Sequence, residues 1–202
     1  MLLGGPVMCV RWASTVARKV RMSRYESAAS GWVYWVLPAA FVLHDTEELM
    51  TMPAWVVSHR SKIEALLAAV GAGDAVATLP TTFARAGIAI GCMLLVFVAT
   101  TVAVWCRPAS PVWRVLYGGL LGAFFLHAFT HVAQSVAFGG YTPGVVTAVL
   151  VVGPASVFVY RRLTRLGALD RRLTAVASAV TMLLFVPAAL LAFSIAAWLA
   201  LG

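Results

Sequence analysis

The sequence predicts an all-α, polytopic membrane helix bundle of about five transmembrane helices, and three observations carry the expectation. Hydrophobic residues make up 62% of the 202, only 11% are charged, and mean hydropathy is +0.93, outside the range of a soluble globular domain. The apolar residues gather into five runs, each near the ~20 residues that a helix needs to cross a hydrocarbon layer. The basic residues sit at alternate ends of those runs, as in a chain threaded back and forth through a membrane. This length leaves no room for a separate soluble domain, so residues 31–202 form a single transmembrane domain behind residues 1–30.

Residues 1–30 carry Arg11, Arg18, Lys19, Arg21 and Arg24 among Val10, Trp12, Val16 and Val20, with one acid, Glu26. This pattern reads as a basic amphipathic or flexible segment on the cytoplasmic face, and Met22 is an alternative start. It lacks the sustained apolar core of a signal peptide. The spans run from Gly31 to Val57 with the last turn broken near Pro53, Thr82 to Cys106, Val112 to Phe138, Pro143 to Tyr160, and Leu173 to Leu201. Between the first two, Ile63, Leu66, Leu67 and Val70 recur among charged residues and predict a short interfacial helix ending at Gly71-Ala72-Gly73. Gly139 to Gly144 is a tight turn, with Pro143 expected to start the next helix.

Charge sets the orientation. With the N-terminus inside, twelve basic residues fall on the inner side, while Arg60, Lys62 and Arg85 fall outside. The positive-inside rule then puts the N-terminus in the cytoplasm, and the expected location is the plasma (inner) membrane. The net charge of +8 is explained by this arrangement and by anionic headgroups, and no nucleic-acid motif accompanies it. Cys9, Cys92 and Cys106 have no metal-site spacing and read as small apolar residues.

One stretch conflicts with its surroundings. Inside the first span stand His44, Asp45, Glu47 and Glu48. An acid at the centre of a spanning helix costs about 2.5 to 3.5 kcal/mol, and each Leu, Ile, Phe or Val returns only about 0.3 to 0.6. These groups must therefore find partners within the protein, which makes them functional candidates. His44, Glu47 and Glu48 are spaced i, i+3 and i+4 and share one helical face, whereas Asp45 points elsewhere. In the third span His127 and His131 are i and i+4, a spacing that lets one face bind one metal ion, and Gln134 continues that face. Both spans run in the same direction, and His44 and His127 lie within about 3 Å of the same height at 1.5 Å per residue. The fourth histidine, His59, falls in a loop and is expected to be solvated.

Imidazole and carboxylate together suit Zn²⁺ or non-haem iron, and a bound cation would offset the burial of the glutamates. The expected metal ligands are His44, Glu47, Glu48, His127 and His131, with Glu47, Glu48 and Tyr141 as catalytic candidates. Three histidines and a free glutamate satisfy zinc-type hydrolysis without missing ligands, so hydrolysis is slightly favoured over iron-based oxidation. The expected substrate is lipidic or apolar, because a site between membrane helices is reached from the bilayer. Two other readings stand beside this one: a metal-free isomerase or proton-transfer enzyme using His44 and Glu48, and a non-enzymatic membrane protein that binds a lipid or a partner.

The motif His44-Asp45-Thr46-Glu47-Glu48, a further histidine at His131 and the turn Tyr141-Thr142-Pro143-Gly144 occur here in the order found in the HXXEE-domain membrane proteins, which the chain resembles from the first span through the fourth. His127 lies outside that pattern. The resemblance implies a small multi-pass membrane protein with a shared polar site, and it does not choose among the mechanisms.

Overall fold

A computed structural model describes the backbone of residues 5–199, and the side chains of residues 31–199 apart from residue 186. The expectation of a basic amphipathic segment at residues 1–30 concerns side chains outside the described residues. All regular elements of the described backbone are helical, without a strand. Helix α1 spans Gly5–Ser58, α2 Arg60–Ala69, α3 Phe83–Cys106, α4 Pro111–Phe138, α5 Val145–Thr147, α6 Gly153–Arg165 and α7 Arg171–Leu199. A 3-10 segment, Gly73–Thr78, follows α2, and a π-helical turn, Ala148–Val152, joins α5 to α6.

Among the described residues, four helices are long and apolar enough to cross a membrane: Phe83–Cys106, Pro111–Phe138, the continuous Val145–Arg165 and Arg171–Leu199. Helix α1 is not among them, because Asp45, Glu47 and Glu48 all fall within its described part. The outer surface matches this reading. Leu95, Leu150 and Leu183 are 69–77% exposed, an apolar exterior suited to lipid.

Local chemistry sets the helix ends. Thr82 Oγ1 accepts from the Arg85 backbone N–H and caps α3. Pro111 begins α4, where its missing N–H costs nothing, and Gly139, at φ 70°, ends it in the left-handed conformation. Asp170 Oδ1 accepts from Leu173 N at 2.9 Å and caps α7.

Three boundaries depart from the sequence expectation. Helix α1 continues through Pro53 to Ser58, since a membrane helix tolerates proline where neighbouring groups serve the freed carbonyl. The fourth span is not uniform. Pro154 cannot donate to the carbonyl one turn back, and the preceding residues, Ala148–Val152, widen into the π turn. Pro143 does not start a helix either, because Gly144 stands at φ 82° and α5 begins at Val145.

A second proline explains a long-range contact. Pro38 has no N–H to offer the Tyr34 carbonyl, and that carbonyl instead accepts from the fully buried Tyr117 hydroxyl of α4 at 3.0 Å. The two rings meet edge to face at 5.1 Å. Tyr117→Phe leaves this carbonyl unsatisfied and is expected to lower stability by about 1 to 3 kcal/mol, measured as a lower unfolding midpoint in detergent.

The core is made by α1, α3, α4 and α6. Phe41, Phe97 and Phe124 form an aromatic floor, with centroids 4.4 to 5.8 Å apart. Helix α7 closes against α4 along a seam of small residues. A Cβ on Gly119 would meet Thr181 Oγ1 at 2.6 Å, and one on Gly122 would overlap Ser178, so these glycines let the two backbones approach closely.

Candidate metal centre

Just above the aromatic floor, α1, α4 and the α4–α5 turn bring four side chains together. His44 and Glu48 project from adjacent turns of α1, and His127 and His131 from adjacent turns of α4. One ligand atom from each of the four lies within 4.8 Å of every other. His131 Nε2 is 2.9 Å from His127 Nε2 and 3.2 Å from Glu48 Oε1, and His44 Nε2 is 3.9 Å from Glu48 Oε1. His44 and His131 are 1% and 2% exposed, while Glu48 and His127 are partly buried at the edge of a cavity.

The other ring nitrogens decide the tautomers. His131 Nδ1 lies 2.9 Å from the Pro143 carbonyl, which can only accept, so Nδ1 carries the proton. The Thr130 hydroxyl donates to the His127 carbonyl at 2.7 Å and therefore accepts from His127 Nδ1 at 3.2 Å. The Thr147 hydroxyl donates to Glu47 Oε2 at 2.5 Å and accepts from His44 Nδ1 at 2.9 Å. With Nδ1 engaged on its outer side, each of the three imidazoles turns Nε2 inward, toward the other rings and the Glu48 carboxylate. His44 Nε2 is buried with no hydrogen-bond partner. Such outer hydrogen bonds orient the rings of metal-binding histidines and fix the ligating nitrogen.

These residues fit a divalent cation. Four potential ligand atoms converge in a largely buried space, and a cation there would offset the burial of the Glu48 carboxylate. With Zn–N distances of 2.0 to 2.1 Å, a tetrahedral site places its ligand atoms about 3.3 Å apart, inside the range seen among these atoms.

Glu47 is placed differently. Its Oε2 accepts from the Thr147 N–H at 2.8 Å, and its Oε1 accepts from the Tyr141 hydroxyl at 2.8 Å and the Val146 N–H at 3.4 Å. Both oxygens are therefore committed to the turn, outside the group of four. Tyr141 reaches Glu47 and Thr51 rather than the four donors. Burial raises the Tyr141 hydroxyl above its ordinary pKa, which keeps it a donor to Glu47. His59 stands apart, stacked on Trp55 at 4.5 Å.

Helical spacing alone turned Asp45 away from the site, whereas the structure places it in the wall of the adjoining cavity. This space, about 250 Å³ between α1, α3, α4 and α7, is lined by Asp45, Glu48, His127 and His131 and by apolar residues including Phe41 and Phe185. Helix α1 is covered on two sides, so a residue one step around from His44 still faces inward. Asp45 Oδ2 is buried without a partner. Gly144 also belongs to the site. A Cβ there would lie 2.8 Å from Cε1 of both His44 and His131, and 3.0 Å from Glu48 Cγ.

The described geometry gives each element of the sequence pattern a place. His44 and Glu48 contribute donors, Glu47 and Tyr141 tie α1 to the turn, and Pro143 and Gly144 hold the rings. A family described as proteins of unknown function with an HXXEE motif matches residues 35–159, more than half of the chain. The chain belongs to the HXXEE family. No curated protein and no solved structure matches it. Within this HXXEE protein, His127 completes the donor group although it lies outside the motif elements read from the sequence. Thr147 and the Pro143 carbonyl orient rings of the HXXEE centre, and their identities alone carried no signal of that role.

Proposed function

We propose that the protein is a membrane-embedded metalloenzyme that holds Zn²⁺ on His44, His127 and His131 and hydrolyses a lipidic or strongly apolar substrate. The observation that supports this reading is the convergence of the three Nε2 atoms on one point beside Glu48. Bound Zn²⁺ would supply Lewis acidity and a water that ionises near neutral pH. Glu48, with Oε1 beside that point, takes and returns the proton. The aromatic and aliphatic cavity walls receive an apolar chain and keep bulk water out. Asp45 Oδ2 offers the substrate's polar end a hydrogen bond. With both Glu47 oxygens engaged in the turn, the two-carboxylate set favoured by iron oxygenases has less support.

Elemental analysis of the freshly purified full chain in detergent tests the proposal. About one zinc per chain is expected, with none in His44→Ala. Folded wild-type protein without a transition metal would overturn it.

A metal-free proton-transfer enzyme is the second reading, and one observation favours it. The 2.9 Å between His127 Nε2 and His131 Nε2 is shorter than the roughly 3.3 Å ligand spacing of tetrahedral zinc. A proton on one of those nitrogens would also join them. This reading predicts turnover that chelators leave unchanged and Glu48→Gln abolishes.

A further inference from the structure

Helix α6 follows the π turn and carries Arg161, Arg162 and Arg165 exposed in its last turns. None of the three has an ion-pair partner among the described residues. The nearest acid in sequence, Asp170, is committed to capping α7. These guanidinium groups form the end of a groove of about 630 Å³ whose walls include Phe125, Pro154, Val157 and Phe158. A second cavity of about 360 Å³, between α4, α6 and α7, shares Phe125 and Val157 with it. Its wall holds the Ser156 hydroxyl, which is buried and has no hydrogen-bond partner.

We propose that this face of the bundle is a binding site for one anionic phospholipid, distinct from the donor group between α1 and α4. Two apolar channels separated by a single ridge, Phe125 and Val157, accept a molecule with two acyl chains. The arginines at the end of the groove meet a phosphate through charge-assisted, bidentate hydrogen bonds. Ser156 lies one to two turns before Arg161 on α6, and its hydroxyl donates to an acyl ester carbonyl at the depth where a phospholipid carries its esters. Charge complementarity selects an anionic headgroup over a zwitterionic one, and basic pockets between membrane helices recognise such headgroups.

The test uses the full chain in detergent, mixed with equal amounts of phosphatidylglycerol and phosphatidylcholine. Lipid retained after gel filtration is measured by mass spectrometry. Wild type is expected to retain phosphatidylglycerol preferentially. Arg161→Gln with Arg165→Gln should cut that preference roughly 30-fold, the size expected from removing two surface cations. Val157→Trp keeps every charge but fills the ridge between the channels, and it should lose phosphatidylglycerol while eluting as a single species. Equal retention of the two lipids by wild type would overturn the proposal, as would an unchanged preference in the double arginine variant. Displacement of the lipid by inorganic phosphate alone would also overturn it, because the acyl chains would then contribute nothing.

Discussion

His131→Ala is expected to lose more than about 100-fold in zinc affinity, beyond the range found when only an outer-shell partner of a metal ligand is removed. His131 does two jobs at once. Its Nε2 is the most closely surrounded of the donors, lying 2.9 Å from His127 and 3.2 Å from Glu48. Its Nδ1 also serves the Pro143 carbonyl at 2.9 Å, and losing that bond strands a buried acceptor at a cost of about 1 to 3 kcal/mol. Zinc titration by calorimetry on the full chain, paired with thermal unfolding, reads both effects. Affinity within tenfold of wild type would show that His131 is not a ligand.

Gly144→Ala is expected to lower zinc affinity by about 10- to 100-fold while leaving every donor in place, the loss typical of disturbing a ligand's support. Gly144 has φ 82°, where a side chain costs roughly 1 to 2 kcal/mol. The added methyl also strikes Cε1 of two imidazoles at 2.8 Å, and neither ring can retreat without breaking its Nδ1 hydrogen bond. Gly140→Ala is the matched control, since a Cβ at Gly140 meets nothing within 4 Å. Equal zinc affinity in the two variants would show that the close approach of Gly144 does not matter.

The residues that were legible in the sequence are those whose placement follows from helical geometry. His44 with Glu48, and His127 with His131, are each one turn apart, and the matched depth of the two spans brings the pairs level. Asp45, Pro143, Gly144 and Thr147 were not legible as site residues. Asp45 faces a cavity that exists only once α3 and α7 pack beside α1. The other three depend on the conformation of one turn, where a left-handed glycine points a carbonyl and a hydroxyl at two rings. The π turn was hidden as well, because Pro154 shows that a hydrogen bond is missing but not how the backbone adapts. Glu47 shows the limit of face matching. It shares a helical stripe with His44 and Glu48, and its oxygens bind the turn because Thr147 and Tyr141 lie closer to it than the donors do.

The contact between His44 and Thr147 joins residues 103 positions apart. Tyr141 and Glu47 are separated by 94. The ribosome adds about 5 to 20 residues per second, so His44 and Glu47 exist for roughly 5 to 20 seconds before the groups that bond them are made. During that interval the acids of α1 oppose its stable residence in lipid. The α4–α5 turn, made last of these parts, therefore supplies the hydrogen bonds that relieve Glu47 on the first helix.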